Sequence, residues 1–185
     1  MTDDTWLRGD WMQTYTGRRY YPLDPKVEEI DPRDIAHALS LLCRYGGHTS
    51  RFYSVAEHCV LMSYAVPLQD ALAALLHDAT EAYVVDVPRP VKRYLRDYKD
   101  IEDAVWQVIA RRFRISTDLP PSVKEADNRI LLNEKAALLP ASEFAWPGLD
   151  GLKPLDISIP AWSPQRAELE YAQRLSKLVS LEVML

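Results

Sequence analysis

The sequence predicts an all-α domain with a small N-terminal β-hairpin. Three observations carry that expectation. Apolar residues recur at helical spacing from Ile35 onward. Pro and Gly fall between those runs rather than inside them. The hairpin pattern lies within an aromatic, Gly- and Pro-rich stretch over residues 1–30. The chain has 185 residues, the size of one ordinary domain with a proper core. It carries no repeat and no dividing linker, so a single domain over residues 1–185 is expected.

Gln13-Thr14-Tyr15, Thr16-Gly17 and Arg18-Arg19-Tyr20-Tyr21 read as the hairpin, ended by Pro22 and Pro25. After Asp31-Pro32, Ile35, Ala38, Leu39 and Leu42 mark a first helix, closed by Arg44 and stopped by Gly46-Gly47. Ser54-x-x-Glu57 is a capping-box pattern that opens a second helix ending near Pro67. A third helix runs from about Gln69 to Tyr83; its segment Ala71-Leu72-Ala73-Ala74-Leu75-Leu76 is apolar nearly all round, as a buried central helix requires. The prolines of Asp86-Val87-Pro88-Arg89-Pro90 predict a non-helical turn. A fourth helix is expected from about Asp100 to Phe113, and a fifth after Pro120-Pro121 with Ser122-x-x-Glu125 as its capping box. Residues 140–162 read as a long surface excursion, and Ser163-Pro164 starts a terminal helix to about Leu181.

Composition narrows the function classes. The formal charge is −5, so no global basic field exists to hold long nucleic acid. No apolar run approaches the ~20 residues of a membrane span. Cys43 and Cys59 form no C-x-x-C pair, and Met1-Thr2-Asp3-Asp4 does not read as a secretory signal. A cytoplasmic location with reduced core thiols is the expectation.

The chemistry-bearing residues converge on one class of site. A divalent metal at neutral pH takes neutral imidazole and ionised carboxylate. The chain has 4 histidines, and His77 is followed directly by Asp78 inside the most apolar helix. Burying that pair costs several kcal/mol unless something satisfies it. Glu81 follows one turn later, Asp86 stands at the proline turn, His58 lies one helix earlier, and Asp127 lies on a later helix. Neither a nucleophile triad nor a phosphate-cradling Gly-rich loop competes with this set. His37, beside Ile35 and Leu39, reads as a hydrogen-bonded structural histidine. Trp146 and Trp162 suggest packing or an oligomer contact.

The order His58 … His77-Asp78 … Asp127 resembles the HD-domain metal-dependent phosphohydrolase superfamily, whose signature is a lone His, a His-Asp pair and a distant Asp, all on helices. The local matches extend further. Phe52-Tyr53-Ser54-Val55-Ala56-Glu57-His58, Leu75-Leu76-His77-Asp78-Ala79-Thr80-Glu81-Ala82-Tyr83 and Val123-Lys124-Glu125-Ala126-Asp127 are similar to the family's ligand segments. Asp86-Val87-Pro88-Arg89-Pro90-Val91-Lys92 resembles the D-x-P-x-P-x-K turn of its 5′-deoxynucleotidase branch. The likeness spans roughly residues 14–180. The chain is also similar to small phage enzymes of this group that hydrolyse dATP.

The resemblance implies an HD-domain helical bundle with a divalent ion (zinc, cobalt, manganese, iron or magnesium) on His58, His77, Asp78 and Asp127. Glu81 becomes the candidate acid/base, and Asp86 a group near the reacting phosphate. Arg44, Lys92 and Lys124 become candidate phosphate contacts, with Arg89 and His48 as further cations. Tyr45 matches an aromatic near the base or sugar. The expected partner is a small deoxynucleotide, and relatives suggest a homo-oligomer, a dimer or a hexamer. The expected reaction cleaves the 5′-phosphate ester, of a dNTP with release of triphosphate or of a dNMP with release of phosphate. A non-catalytic nucleotide-binding regulator is the alternative from another class.

Overall fold

The computed structural model describes residues 8–182; the polar start at Met1–Asp4 lies outside them. The expected hairpin is present: β1 (Met12–Gln13) pairs antiparallel with β2 (Arg19–Tyr20), Met12 opposite Tyr20. Gly17 turns the chain at φ +81°, a conformation that side chains with a Cβ resist. Two contacts fix the hairpin to the core. Asp34 accepts from the Thr16 amide at 2.7 Å and its hydroxyl at 3.0 Å, and Tyr20 stacks on Tyr83 with ring centroids 4.1 Å apart.

α1 (Pro32–Leu41) starts from Asp31, whose side chain caps the Arg33 amide, with Pro32 pre-set in the first turn. It ends earlier than Gly46-Gly47 suggests. Residues after Leu42 turn extended, and Cys43 pairs with Ser54 in an antiparallel bridge. Arg44 therefore sits in a short 3₁₀ turn, Arg44–Gly47, instead of closing the helix. α2 (Val55–Ala65) begins at Ser54, whose hydroxyl accepts from the Glu57 amide at 3.1 Å. Glu57 does not complete the box. Its carboxylate instead accepts from the amides of Ala161 (2.8 Å) and Trp162 (2.6 Å).

α3 (Ala71–Leu76) is buried at all 6 positions, as a central helix should be. It does not continue to Tyr83. His77 Nδ1 donates to the Ala74 carbonyl at 2.8 Å, the acceptor that the Asp78 amide would use in an uninterrupted helix. The backbone tightens over 77–80, with Glu81 N–H on Asp78 O at 3.0 Å, before α4 (Glu81–Val84) resumes. The proline turn contains one helical turn, α5 (Arg89–Lys92), contrary to the non-helical expectation. Pro90 stands in its first turn, where a missing N–H costs nothing.

α6 (Arg96–Phe113) starts one turn before Asp100. α7 (Pro121–Leu138) has Pro120 at its cap; Ser122 donates to Asp70 at 2.5 Å instead of capping. α8 is Pro164–Glu182. It packs against α1, α2 and α3. Leu72, Leu75 and Leu76 join one core with Ile35, Leu39, Ile109 and Tyr171, while Ala73 and Ala74 join a second with Tyr53, Met62, Ile130 and Leu138. α3 is thus clamped between two cores. Residues 139–163 form no helix or strand. They are not wholly a surface excursion, because Leu149, Leu155 and Ile159 are buried and Asn133 binds the Leu155 backbone in both directions at 2.9 Å. Among the described residues no helix is long and apolar enough to cross a membrane.

Candidate metal centre

α2, the turn after α3, and α7 bring His58, His77, Asp78 and Asp127 to one point. His58 Nε2 lies 3.4 Å from His77 Nε2, 3.7 Å from Asp78 Oδ2 and 3.5 Å from Asp127 Oδ1. His77 Nε2 lies 3.2 Å from Asp78 Oδ2. Ligands about 2.0–2.2 Å from a shared ion and 90–109° apart sit about 2.8–3.6 Å from one another, so three of these four spacings fit a cation and the His58–Asp78 one, at 3.7 Å, lies just beyond. His58, His77 and Asp127 offer ligand atoms all within 4.8 Å of each other.

Hydrogen bonding sets both imidazoles for that role. His58 Nδ1 donates to Glu134 Oε1 at 2.6 Å and His77 Nδ1 to the Ala74 carbonyl. Each neutral ring then presents an Nε2 lone pair to the same point. Two lone pairs and two carboxylates facing each other repel unless positive charge stands between them. The electrostatics express the same demand. Burial disfavours the imidazolium of His77, yet the Asp78 carboxylate pushes its pKa well above the usual histidine value. Burial works to raise Asp127, but the His58 hydrogen bond and His77 hold it at about 2. Asp78 is held far below the usual carboxylate range, against burial, by His77, His58 and Arg44. A divalent cation supplies that charge and displaces the ligand protons.

Cys59, His77 and Asp78 form a second cluster of metal-ligating types. It is the poorer site. Burial pushes the Cys59 thiol up to about 11, whereas a thiol ligand must ionise. Its approach is to His77 Nδ1, at 4.0 Å, which is committed to Ala74.

A cavity of about 450 Å³ opens over the cluster. Its walls include the charged Asp78, Glu81, Asp86, Arg89 and Asp127 and the aromatic Tyr45 and Trp146. Glu81 is buried, its Oε2 has no partner, and burial beside Asp78 and Asp86 pushes its pKa up to about 9. Burial also raises the half-buried Asp86. Arg44 is buried between Asp78 (3.3 Å) and Glu134 (3.4 Å). Lys92 lines the cavity but is engaged by Glu102 at 2.5 Å. Lys124 is exposed and outside the lining, and so is His48. Tyr45 adopts φ +58°, a strained conformation for an aromatic residue. Its hydroxyl bond to Glu134 and the Trp146 ring 5.8 Å away hold it there. His37 is structural as expected, bonded to Glu168 at 3.2 Å and stacked on Tyr15.

One residue of the site, Glu134, has no place in the sequence reading, and a second, Trp146, has a different one. Glu134 is fully buried and gathers His58 Nδ1, the Tyr53 hydroxyl at 2.9 Å, the Tyr45 hydroxyl and Arg44. Its signal was faint: it stands 7 residues after Asp127, on the same helix face. Trp146, read as packing or oligomer contact, lines the cavity. Trp162 does pack on the core.

Fold and site define a helical protein with a His/Asp cluster placed to hold a metal ion. No protein-family model matches the chain. It is 37% identical over 172 residues to YfdR, an uncharacterized protein of Escherichia coli, covering 92% of this chain and 97% of that one. It is 35% identical over 130 residues to an uncharacterized protein of Rhodobacter capsulatus, 65% of this chain and 66% of the other. The chain belongs to the family of YfdR.

Proposed function

We propose that the protein is a metal-dependent phosphohydrolase of the HD-domain type that cleaves the 5′-phosphate ester of deoxynucleotides, acting on a dNTP to release deoxynucleoside and triphosphate. One observation carries the reading. Two Nε2 atoms and two carboxylate oxygens gather about His58, whose Nε2 lies 3.4–3.7 Å from the other three, at a cavity that also holds the buried Glu81, whose Oε2 has no partner. That is a donor set for a cation beside a group able to carry a proton. Two His and two Asp leave a bound dication roughly neutral, with positions open for water and a phosphate oxygen.

When bound, the ion supplies Lewis acidity toward a phosphate oxygen and acidifies water. The chain's own groups do the rest. Arg44, fixed beside Asp78, faces the negative charge that builds on the α-phosphoryl oxygens. Asp86 orients the attacking water. Water adds to the α-phosphorus and the bond from phosphorus to the 5′ oxygen breaks. Glu81, held protonated at neutral pH, gives its proton to the departing 5′ oxygen and is recharged by the proton that the attacking water releases. The Tyr45–Trp146 wall receives the flat base.

A 5′-deoxynucleotidase acting on dNMPs is the second reading. It is favoured by the engagement of Lys92 with Glu102 and the position of Lys124 outside the cavity, which leave fewer cations for a long phosphate chain. The test is a panel of dNMPs, dNTPs and NTPs with Co²⁺, Mn²⁺, Mg²⁺ or Zn²⁺, with products resolved by chromatography. Tripolyphosphate from a dNTP supports the first reading and inorganic phosphate from dNMPs the second. No turnover with any metal points to a nucleotide-binding regulator.

A further inference from the structure

We infer that Arg89 is a swinging latch for the outer phosphates of a polyphosphate ligand, holding Asp127 until such a ligand arrives; this rests on the phosphate-ester reading above. The starting observation is a division of labour on Asp127. Oδ1 faces His58 Nε2, while Oδ2 accepts from Arg89 Nη2 at 3.0 Å. Arg89 thus meets Asp127 through the oxygen that His58 does not approach.

The cavity cations differ in their freedom. Arg44 is buried and divided between two carboxylates, and Lys92 is engaged by Glu102. Arg89 has one partner, and its side chain is 65% exposed. An exposed ion pair contributes little to stability, so giving it up costs little. The backbone beneath it is stiff. Pro88 and Pro90 flank Arg89, the Val91 and Lys92 amides both bond the Pro88 carbonyl at 2.8 and 3.0 Å, and Tyr98 bonds the Val85 carbonyl at 2.8 Å. Motion is therefore confined to a long side chain on a fixed base.

Charge then sets the exchange. With a cation on Oδ1, Asp127 has less negative charge to offer Arg89. A phosphate chain held at the floor of the cavity passes Asp127 on its way to solvent, and a planar guanidinium engages phosphate oxygens two at a time. A single phosphate lies within reach of Arg44 and has no need of Arg89. This one side chain would thus favour triphosphates in a site whose lysines are engaged elsewhere or lie outside it.

The test is calorimetric and reads no turnover. Wild type, Arg89→Gln and Arg89→Lys, each loaded with Co²⁺, are titrated with inorganic tripolyphosphate and with orthophosphate. Metal content and circular dichroism verify that each variant keeps its ion and fold. The expected result is that Arg89→Gln weakens tripolyphosphate binding about tenfold or more, orthophosphate less than about threefold, with Arg89→Lys between. Equal weakening of both anions, no weakening, or no tripolyphosphate binding by wild type would overturn the assignment. Failure to hydrolyse any nucleotide would count against the proposed reaction, and these affinities would still decide the role of Arg89.

Discussion

Replacing Glu134 with Gln is the sharpest perturbation of the centre, because it changes one oxygen to an amide nitrogen and replaces neither a cavity-lining residue nor an ion ligand. Every group around Glu134 donates: His58 Nδ1, the Tyr53 and Tyr45 hydroxyls, and Arg44. A Gln can accept on one side only, and its NH₂ must face donors on the other. Burial works to raise the carboxyl, yet Arg44 and His58 hold it at about 2 against an ordinary 4.5. A depression of that size corresponds to about 3 kcal/mol at neutral pH. The sign follows from its direction. This stabilisation is fully present above pH 4.5 and is lost as pH falls toward 2. Removing one partner of a buried ion pair typically costs about 3–5 kcal/mol, the same range. Loosening the ring of His58 should also weaken metal binding about 10–100-fold. Urea unfolding at neutral pH measures the first effect, and competition with a chromophoric chelator the second. Glu134→Gln with wild-type unfolding and wild-type metal affinity would refute the reasoning.

Asp78→Ala should lose both bound metal and turnover, whereas Glu81→Gln should keep the metal and lose turnover by about 10²–10⁴-fold; elemental analysis beside the substrate panel separates them, and an active Asp78→Ala would end the ligand assignment. Trp146→Ala should weaken a nucleotide by about 1–3 kcal/mol while sparing deoxyribose 5-phosphate; equal effects on both would show that Trp146 does not meet the base. Glu57→Ala should cost about 1–3 kcal/mol for each of the two amides it leaves unpaired, read by thermal unfolding against Ser54→Ala at about 1 kcal/mol.

The sequence was legible wherever one physical period dominated. The unbroken apolar run of α3, the Ser54 cap and the Asp31-Pro32 start each act through nearest neighbours, and each appears as expected. The four His and Asp positions were readable as a set because a cation requires those residue types from separate helices. What escaped depends on contacts distant in the chain. Glu134 follows Asn133 and precedes Lys135, as a solvated helix face would, and only the approach of Arg44 and His58 reveals its burial. The break after Leu76 has neither Pro nor Gly; a side chain of α3's own capping residue takes the carbonyl the helix needs. Trp146 lies in a stretch without regular structure, where periodicity carries no information. Arg44 seemed a helix-end cation because the bridge between Cys43 and Ser54 is a tertiary contact.

The burial of α3 on every side has a consequence for how the protein acquires its ion. Amides enclosed by two cores exchange with solvent only through near-global opening, so the geometry of the two imidazoles is fixed by the fold before any ion arrives. Loading is then a binding event on a finished scaffold, unlike small zinc domains that are unfolded without metal. Chelation should leave the far-ultraviolet spectrum intact and lower stability only by mass action, about 2.7 kcal/mol relative to protein in ion at a hundred times its Kd. The apoprotein would persist as a folded, reloadable species, with occupancy set by the metal supplied to it.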